Sequence, residues 1–180
     1  MANIYLYKAR DAPIIVMLCY IEAERGWKLI RWNLDTDTFE EGETLTDVYM
    51  MTPEAGAVSP DGKYFAYWYS DIKNGKYDMG ITHAVISEVP SFKPIFFYAN
   101  TFSRMLDGMG FSRTGQPMIT SEHKLEKCGE TDLVQVPWDR TVINGTMSAD
   151  KQYPFIDTRG RRIFARGKKL IVNGTAIRTV

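Results

Sequence analysis

The stretch "GAVSPDGKYFAYWYSD", residues 56–71, decides the fold class of this chain. A Ser-Pro-Asp-Gly turn at 59–62 stands between two apolar segments, and the segment after the turn is rich in Tyr, Phe and Trp. Glycine at the end of such a turn supplies the positive φ that other residues resist, and the serine oxygen caps the turn. The stretch therefore predicts a β-hairpin centred on residues 59–62.

The same hairpin pattern recurs along the chain. "AVSPDGKYFAY" aligns with "GFSRTGQPMIT" and "FIDTRGRRIFA", which places Gly62, Gly115 and Gly160 in one position, 53 and 45 residues apart. A weaker copy, "LYKARDAPIIV", has Asp11 at the glycine position. A unit of several short strands that repeats about every 40–50 residues is typical of β-propellers.

The rest of the chain also reads as short strands between Gly, Pro, Asn and Asp turns, without helical periodicity, which predicts an all-β fold. The predicted strands are Ile4–Lys8, Ile14–Ile21, Trp27–Leu34, Lys63–Ser70, Met79–Ser87, Pro94–Tyr98, Gln116–Ser121, Thr131–Val136, Thr141–Ile143, Arg161–Ala165, Lys169–Val172 and Ala176–Val180. We predict one domain, residues 1–180, that is a propeller-like array of about four short antiparallel blades. Its approximate repeats are 2–48, 49–100, 101–147 and 148–180.

The main alternative to a propeller is a β-sandwich. The strand after the first turn is apolar on both faces, because Phe65, Tyr67 and Tyr69 alternate with other apolar or small residues. Such a strand must be covered on both faces, as when a blade lies between two others. A two-sheet sandwich would instead place polar residues on the outer face of each sheet. The pattern favours the propeller.

Three segments carry a resemblance to a known family. "AVSPDGKYFAYWYSD" resembles the SPDG segment of the WD40-like propeller repeats found in TolB and in prolyl-oligopeptidase propellers. "KLIRWNLDTDTFEEGE" and "LVQVPWDRT" resemble the third strand and following turn of WD40-type blades, with Trp32 and Trp138 near the usual Trp-Asp. The resemblance implies a propeller architecture and no particular activity. It is compatible with a closed four-bladed ring, with 4–7 completing the last blade, or with a partial ring completed by another copy.

Composition limits the partners. Lys plus Arg and Asp plus Glu both number 22, so no net charge attracts nucleic acid or an anionic membrane. The first residues lack the pattern of a signal peptide, and the longest apolar run, "PIIVMLCYI", is too short to span a bilayer. The sequence predicts a cytoplasmic protein without a membrane or nucleic-acid partner.

Charge is nevertheless uneven along the chain. Residues 151–180 hold eight Lys or Arg and one Asp, a balance of +7, while residues 22–54 hold nine acids and three bases, a balance of −6. One interpretation is a basic patch for RNA or phosphate. The preferred interpretation is that the first and last blades adjoin, so that opposite charges meet between them.

Metal and catalytic motifs are weak. His123 and Cys128 share one predicted loop without a full ligand set, and Asp35 and Asp37 resemble only the start of a calcium loop. The stretch 33–43 is predicted to be a solvated acidic turn. The sequence has no nucleophile elbow, zinc-protease motif or P-loop. We predict no cofactor and no metal, and the sequence favours a non-enzymatic protein without deciding the matter.

These observations favour an interaction module that binds a protein partner, or its own copy, through propeller rim loops. The predicted binding residues are Trp32, Trp138, Arg161 and Arg162, because each stands beside a predicted turn and because Trp and Arg dominate binding hot spots. The opposing interpretation packs both tryptophans between blades. The alternative functions are a carbohydrate-binding or hydrolytic propeller with a central-channel site and a structural subunit of an assembly.

Overall fold

A computed structural model of the chain describes residues 4–51, 53, 56–73, 76–100, 109–120, 134–136, 146–148 and 155–180. The described residues form seventeen β-strands and no α-helix, which confirms the all-β class. In chain order, β1 to β17 are Ile4–Lys8, Ile14–Ile21, Gly26–Asn33, Thr38–Thr46, Val48–Met51, Ala57–Val58, Tyr64–Lys73, Lys76–Glu88, Pro94–Asn100, Met109–Phe111, Pro117–Thr120, Val134–Val136, Thr146–Ser148, Phe155–Ile156, Arg162–Arg166, Lys169–Val172 and Thr175–Thr179.

Hydrogen bonds between strands define four sheets. Sheet A has the order β13-β1-β2-β3-β4, and sheet B has the order β5-β7-β8-β9, with β6 also paired to β7. Sheet C has the order β10-β11-β12, and sheet D has the order β14-β15-β16-β17. Within the described residues every pairing is antiparallel except that of β11 with β12, and no sheet closes on itself. This arrangement fits a sandwich of sheets as well as a propeller.

The repeated turn predicted from the sequence is present near the start of sheets B, C and D. Gly62, Gly115 and Gly160 have φ values of 75°, 85° and 73°. Each of them donates its N–H to the carbonyl oxygen three residues earlier, over 2.9 Å, 3.0 Å and 3.0 Å. The predicted turn chemistry is therefore confirmed at three positions.

A side-chain oxygen caps each of these turns. The three capping hydrogen bonds run from Tyr64 N–H to Ser59 Oγ at 2.9 Å, from Gln116 N–H to Ser112 Oγ at 3.0 Å, and from Arg161 N–H to Asp157 Oδ1 at 2.8 Å. Either serine or aspartate can occupy this position, because both have a short side chain that ends in an acceptor oxygen. The same local chemistry thus starts three different sheets.

Gly62 also marks a close approach of sheet B to sheet A. A Cβ added at Gly62 would lie 2.8 Å from Cβ of Ile14 and 2.9 Å from its Cγ2, whereas a Cβ added at Gly160 would meet nothing within 4 Å. Both positions need a residue that tolerates positive φ, but Gly62 also needs the absence of a side chain.

Three apolar clusters show how the sheets pack. One cluster joins sheets A and B, a second joins the other face of sheet A to sheet D, and a third joins the other face of sheet B to sheet C. Representative members are Val16 and Phe65 in the first, Trp32 and Ile163 in the second, and Ala66 and Phe111 in the third. The sheets therefore follow one another in the order D, A, B, C. Sheets A and B are covered on both faces, as the two-sided apolar strands predict.

The predicted acidic turn over residues 33–43 is wrong beyond Asp37, because Thr38–Thr46 forms strand β4. This strand lies at the edge of sheet A and alternates mainly between exposed and half-buried positions. Two of its acids pair with cations of β3: Glu40 with Arg31 at 2.8 Å and Glu41 with Lys28 at 3.6 Å. A polar edge strand of this kind lacks the apolar alternation by which strands are recognised.

Strand β1 also differs from one expectation. Its residues pair with β2, with Ile4 opposite Cys19, and on the other side with β13, where Leu6 lies opposite Ser148. The idea that residues 4–7 complete the sheet of the last blade is therefore wrong, since β1 belongs to sheet A.

Candidate functional site

Two residues that the sequence predicts to bind a partner, Trp32 and Arg161, lie in contact where sheets A and D meet. The guanidinium carbon of Arg161 is 5.7 Å from the centre of the Trp32 ring, within the range of a cation–π interaction. The Trp32 side chain is 0% exposed and stacks on Phe39 at 5.2 Å between ring centres. The expectation that Trp32 reaches outward is wrong, because its face of β3 is covered by sheet D.

Arg161 joins two turns that belong to different sheets. Its Nε donates to Asp157 Oδ2 at 2.6 Å within sheet D, and its Nη1 donates to Asp37 Oδ1 at 2.7 Å in sheet A. Its Nη2 donates to the carbonyl oxygen of Leu34 at 3.0 Å. Arg159 adds a 3.0 Å hydrogen bond to the same Asp37 carboxylate. We call Asp37, Asp157, Arg159 and Arg161 the Arg161 network.

The electrostatics of the Arg161 network keep both of its acids ionised. The hydrogen bond from Arg161 lowers the pKa of Asp37, and Asp37 in turn raises the pKa of Arg161. Burial alone would raise the pKa of Asp157, whose side chain is 1% exposed, but the hydrogen bonds from Arg161 outweigh burial and lower this pKa. Asp37, weighed from the sequence as a calcium ligand, therefore binds guanidinium groups, and the network stabilises the junction of sheets A and D.

Two further ion pairs join the same sheets. Lys168 pairs with Glu22, and Arg178 pairs with Glu41 while its guanidinium carbon lies 4.9 Å from the centre of the Phe39 ring. In every one of these contacts the cation comes from residues 151–180 and the acid from residues 22–54. The predicted meeting of opposite charges between the start and the end of the chain is confirmed at these positions.

The other two predicted binding residues lie apart from the Arg161 network. Arg162 is exposed, and its side chain points to the opposite face of sheet D from Ile163, since neighbouring side chains alternate along a strand. Its N–H donates to Asn173 Oδ1 at 2.8 Å. Trp138 lies outside the described residues. The structure thus brings together Trp32 and Arg161 but places Arg162 elsewhere.

A second surface is formed by the first turns of three sheets. This turn surface consists of residues 9–13, 59–63 and 112–116. The N–H of Asp11 donates to the carbonyl oxygen of Pro60 at 2.8 Å, which joins sheet A to sheet B. Arg10 Nη2 donates to the carbonyl oxygen of Arg113 at 2.6 Å, which joins sheet A to sheet C. Asp11 and Pro60 are about fifty positions apart in sequence and Arg10 and Arg113 are 103 apart, yet the members of each pair are held side by side.

The turn surface offers charged side chains of both signs to solvent. Arg10 and Asp11 form a 2.6 Å ion pair, and Lys63 and Asp61 form a looser pair at 3.6 Å. The exposed side chain of Arg113 forms no ion pair with a described acid. The sequence predicted each turn but not their contact with one another. For the turns at 59–62 and 112–115 the shared Ser-x-x-Gly motif was the available signal of this contact, because equivalent turns of stacked repeats fall on the same side.

The histidine of sheet B lies in an aromatic stack. His83, on β8, is 7% exposed and lies 4.8 Å from Tyr69 and 4.9 Å from Phe97 between ring centres. Among the described residues there is no group of three or more His, Cys, Asp or Glu side chains suited to a metal ion. The loop with His123 and Cys128 lies outside them.

Comparison of the chain with protein-family models, with curated proteins and with solved structures finds no match. No helix in the described part of the chain is long and apolar enough to cross a membrane. A functional proposal for this chain therefore rests on the geometry described above.

Proposed function

We propose that this chain is a propeller-like interaction module that binds a protein partner through the turn surface. The convergence of three sequence-distant turns carries the proposal, through the hydrogen bonds from Asp11 to Pro60 and from Arg10 to Arg113. Capped turns on a sheet scaffold give a preorganised surface, and proteins place binding residues preferentially on loops that a rigid scaffold positions.

A propeller arrangement of the four sheets would account for this convergence. The equivalent turns recur at the start of successive sheets, the sheets stack in one order, and the SPDG segment resembles propeller repeats. A closed, compact ring of 180 residues should give a radius of gyration of about 16 Å in small-angle X-ray scattering. A markedly larger value would favour an open stack of sheets.

The charges of the turn surface point to a folded protein surface as the partner. Asp11 and Asp61 offset two of the three cations Arg10, Lys63 and Arg113, so the surface offers directional pairing and only a small positive excess. Mixed charges of this kind give specificity by complementarity, because a wrong partner meets like charges. A polyanion would instead require a large excess of cations.

The test is a charge reversal with a matched control. Arg113→Glu changes the turn surface, and Arg25→Glu makes the same change in the exposed turn between β2 and β3, at the opposite end of sheet A. Affinity capture from source cells, followed by calorimetry with the purified partner, should give binding that Arg113→Glu weakens about tenfold or more and Arg25→Glu leaves unchanged. Equal binding by both variants would contradict the proposal.

The same variants test whether the partner is a second copy of this chain. Light scattering coupled to size exclusion should then show a dimer for the unchanged protein and a monomer for Arg113→Glu. A monomer in both cases leaves a different protein as the partner.

One observation favours carbohydrate binding as a second candidate function. Phe97 is 37% exposed at the edge of sheet B, and its ring stacks on His83 with an interplanar angle of 27°. A held, exposed aromatic face is suited to stacking against a sugar ring. A glycan array should then give a signal that Phe97→Ala abolishes. An array without a signal removes this candidate.

A further inference from the structure

Sheet D has two faces of different character. On β15 and β16 the buried residues, such as Ile163 and Leu170, face sheet A. The residues that alternate with the buried ones along each strand face away from sheet A. Ile156 of β14 lies opposite Arg162 and so belongs to that second face. We call this the outer face of sheet D, and it consists of Ile156, Arg162, Phe164, Arg166, Lys169 and Ile171.

The centre of this outer face is apolar. Phe164 and Ile171 lie directly opposite one another across β15 and β16, and both are only half-buried. Ile156, on the neighbouring strand, is 64% exposed, and no other large apolar side chain in the described part of the chain is as exposed. An apolar strip of this kind on a sheet is typical of a surface that another chain covers.

The edges of the outer face are basic. Arg162, Arg166 and Lys169 are all exposed, and none of them forms an ion pair with an acid among the described residues. Arg166 also lies directly opposite Lys169, an arrangement in which like charges repel. The contrast with the inner side of sheet D is clear, because Arg161 and Arg178 there are paired with acids of sheet A.

We infer that the outer face of sheet D binds an acidic, apolar segment of a partner protein. Three cations that form no ion pair with a described acid surround an apolar strip, and they are complementary to carboxylates that flank apolar side chains. This surface is separate from the turn surface, so the inference goes beyond the function proposed above. It applies to an open stack of sheets D, A, B and C, since a closed ring would cover the outer face of sheet D with sheet C.

Two other occupants fit the outer face less well. A second copy of this chain would have to bring acids, and the acids that lie beside its own sheet D, namely Glu22, Asp37 and Glu41, are already paired there. A nucleic acid would be expected to stack its bases on several aromatic rings. Among the outer-face residues only Phe164 offers such a ring.

The test uses a fluorescein-labelled peptide in which Glu and Leu are spaced by Ser and Gly, together with the same peptide carrying Gln for Glu. Fluorescence anisotropy should show that the Glu peptide binds the unchanged protein. The Gln peptide should bind at least about tenfold more weakly. The triple variant Arg162→Glu, Arg166→Glu, Lys169→Glu should lose the Glu peptide. Arg113→Glu should keep it, which separates this surface from the turn surface.

Three outcomes would overturn the inference: no binding of the Glu peptide by the unchanged protein, equal binding by the triple variant, or tighter binding of an oligothymidylate at the same residues. Near-ultraviolet circular dichroism checks that the triple variant is folded. If it is not, the milder pair Arg166→Gln and Lys169→Gln takes its place, and it should weaken the peptide about threefold or more for each removed charge. An unchanged affinity in that pair would be equally decisive against the inference.

Discussion

The sharpest prediction concerns two glycines that share a backbone conformation and differ in their surroundings. Gly62 and Gly160 have φ values of 75° and 73°, so an alanine at either position occupies the left-handed region, which costs about 1–2 kcal/mol. At Gly62 the new methyl group would also lie 2.8 Å from Cβ of Ile14, and overpacking of this kind adds about 1–3 kcal/mol. Gly62→Ala should therefore destabilise by about 2–5 kcal/mol, and Gly160→Ala by about 1–2 kcal/mol.

The assay is urea unfolding followed by tryptophan fluorescence, with the slope of the transition compared between variants. For a chain of this size each kcal/mol also lowers the melting temperature by about 2–4 °C. Ile14→Ala removes two of the three atoms that crowd the added methyl group, so in the double variant the cost of Gly62→Ala should fall. Equal costs for Gly62→Ala and Gly160→Ala would refute the close approach of sheets A and B. No cost at either position would refute the turn itself.

Four further outcomes follow from the junction of sheets A and D and from the capped turns. Asp37→Asn should destabilise by about 1–3 kcal/mol in urea unfolding, because it removes the negative charge and one of the two oxygens that accept from Arg159 and Arg161. Glu40→Gln, at an exposed pair within sheet A, should cost less than about 1 kcal/mol. Trp32→Ala should cost about 3–5 kcal/mol, and a folded variant that only loses a partner would show that this residue binds rather than packs. Asp157→Ser should keep more stability than Asp157→Ala, since serine caps the equivalent turns of sheets B and C; equal losses would show that the cap is not what matters. The pKa values of Asp37 and Asp157 are lowered in the folded state. Their contribution to the free energy of unfolding is therefore full above the unfolded-state pKa of about 3.9, and it is lost as the pH falls through the folded-state values. The Asp37→Asn variant should lose less stability on acidification than the unchanged protein does, which urea unfolding at a series of pH values measures.

Much of the strand pattern could be predicted from the sequence. Ile4–Lys8, Ile14–Ile21 and Lys169–Val172 have the predicted bounds, because each is an apolar or alternating run between turn residues. The capping roles of the serine or aspartate in the repeated turns were also predictable, since they depend on local chemistry alone. Strand β4 was not, because its pairing with β3 is set by tertiary neighbours while its own residues are mostly polar.

The candidate site was predictable only at the level of segments. The uneven charge of the chain predicted that its two ends would meet, but nothing local to Asp37 or Arg161 showed that these two side chains would pair. Trp32 stands beside a turn, and its position in sequence does not determine whether its face of β3 is covered or open. The outer face of sheet D was hidden for the same reason, since Arg161 and Arg162 are neighbours in sequence but Arg161 binds an acid of sheet A while Arg162 lies on the outer face.

The packing of sheet A against sheet D imposes an order of events on biosynthesis. The apolar side chains of Met17, Ile30 and Trp32 acquire their cover only when residues 163–172 emerge, more than a hundred residues later. At ribosomal rates of about 5–20 residues per second, this apolar surface of the nascent chain stays exposed for about ten seconds. The ion pairs of Lys168 with Glu22 and of Arg178 with Glu41 can likewise form only at this late stage, when sheet D covers the surface.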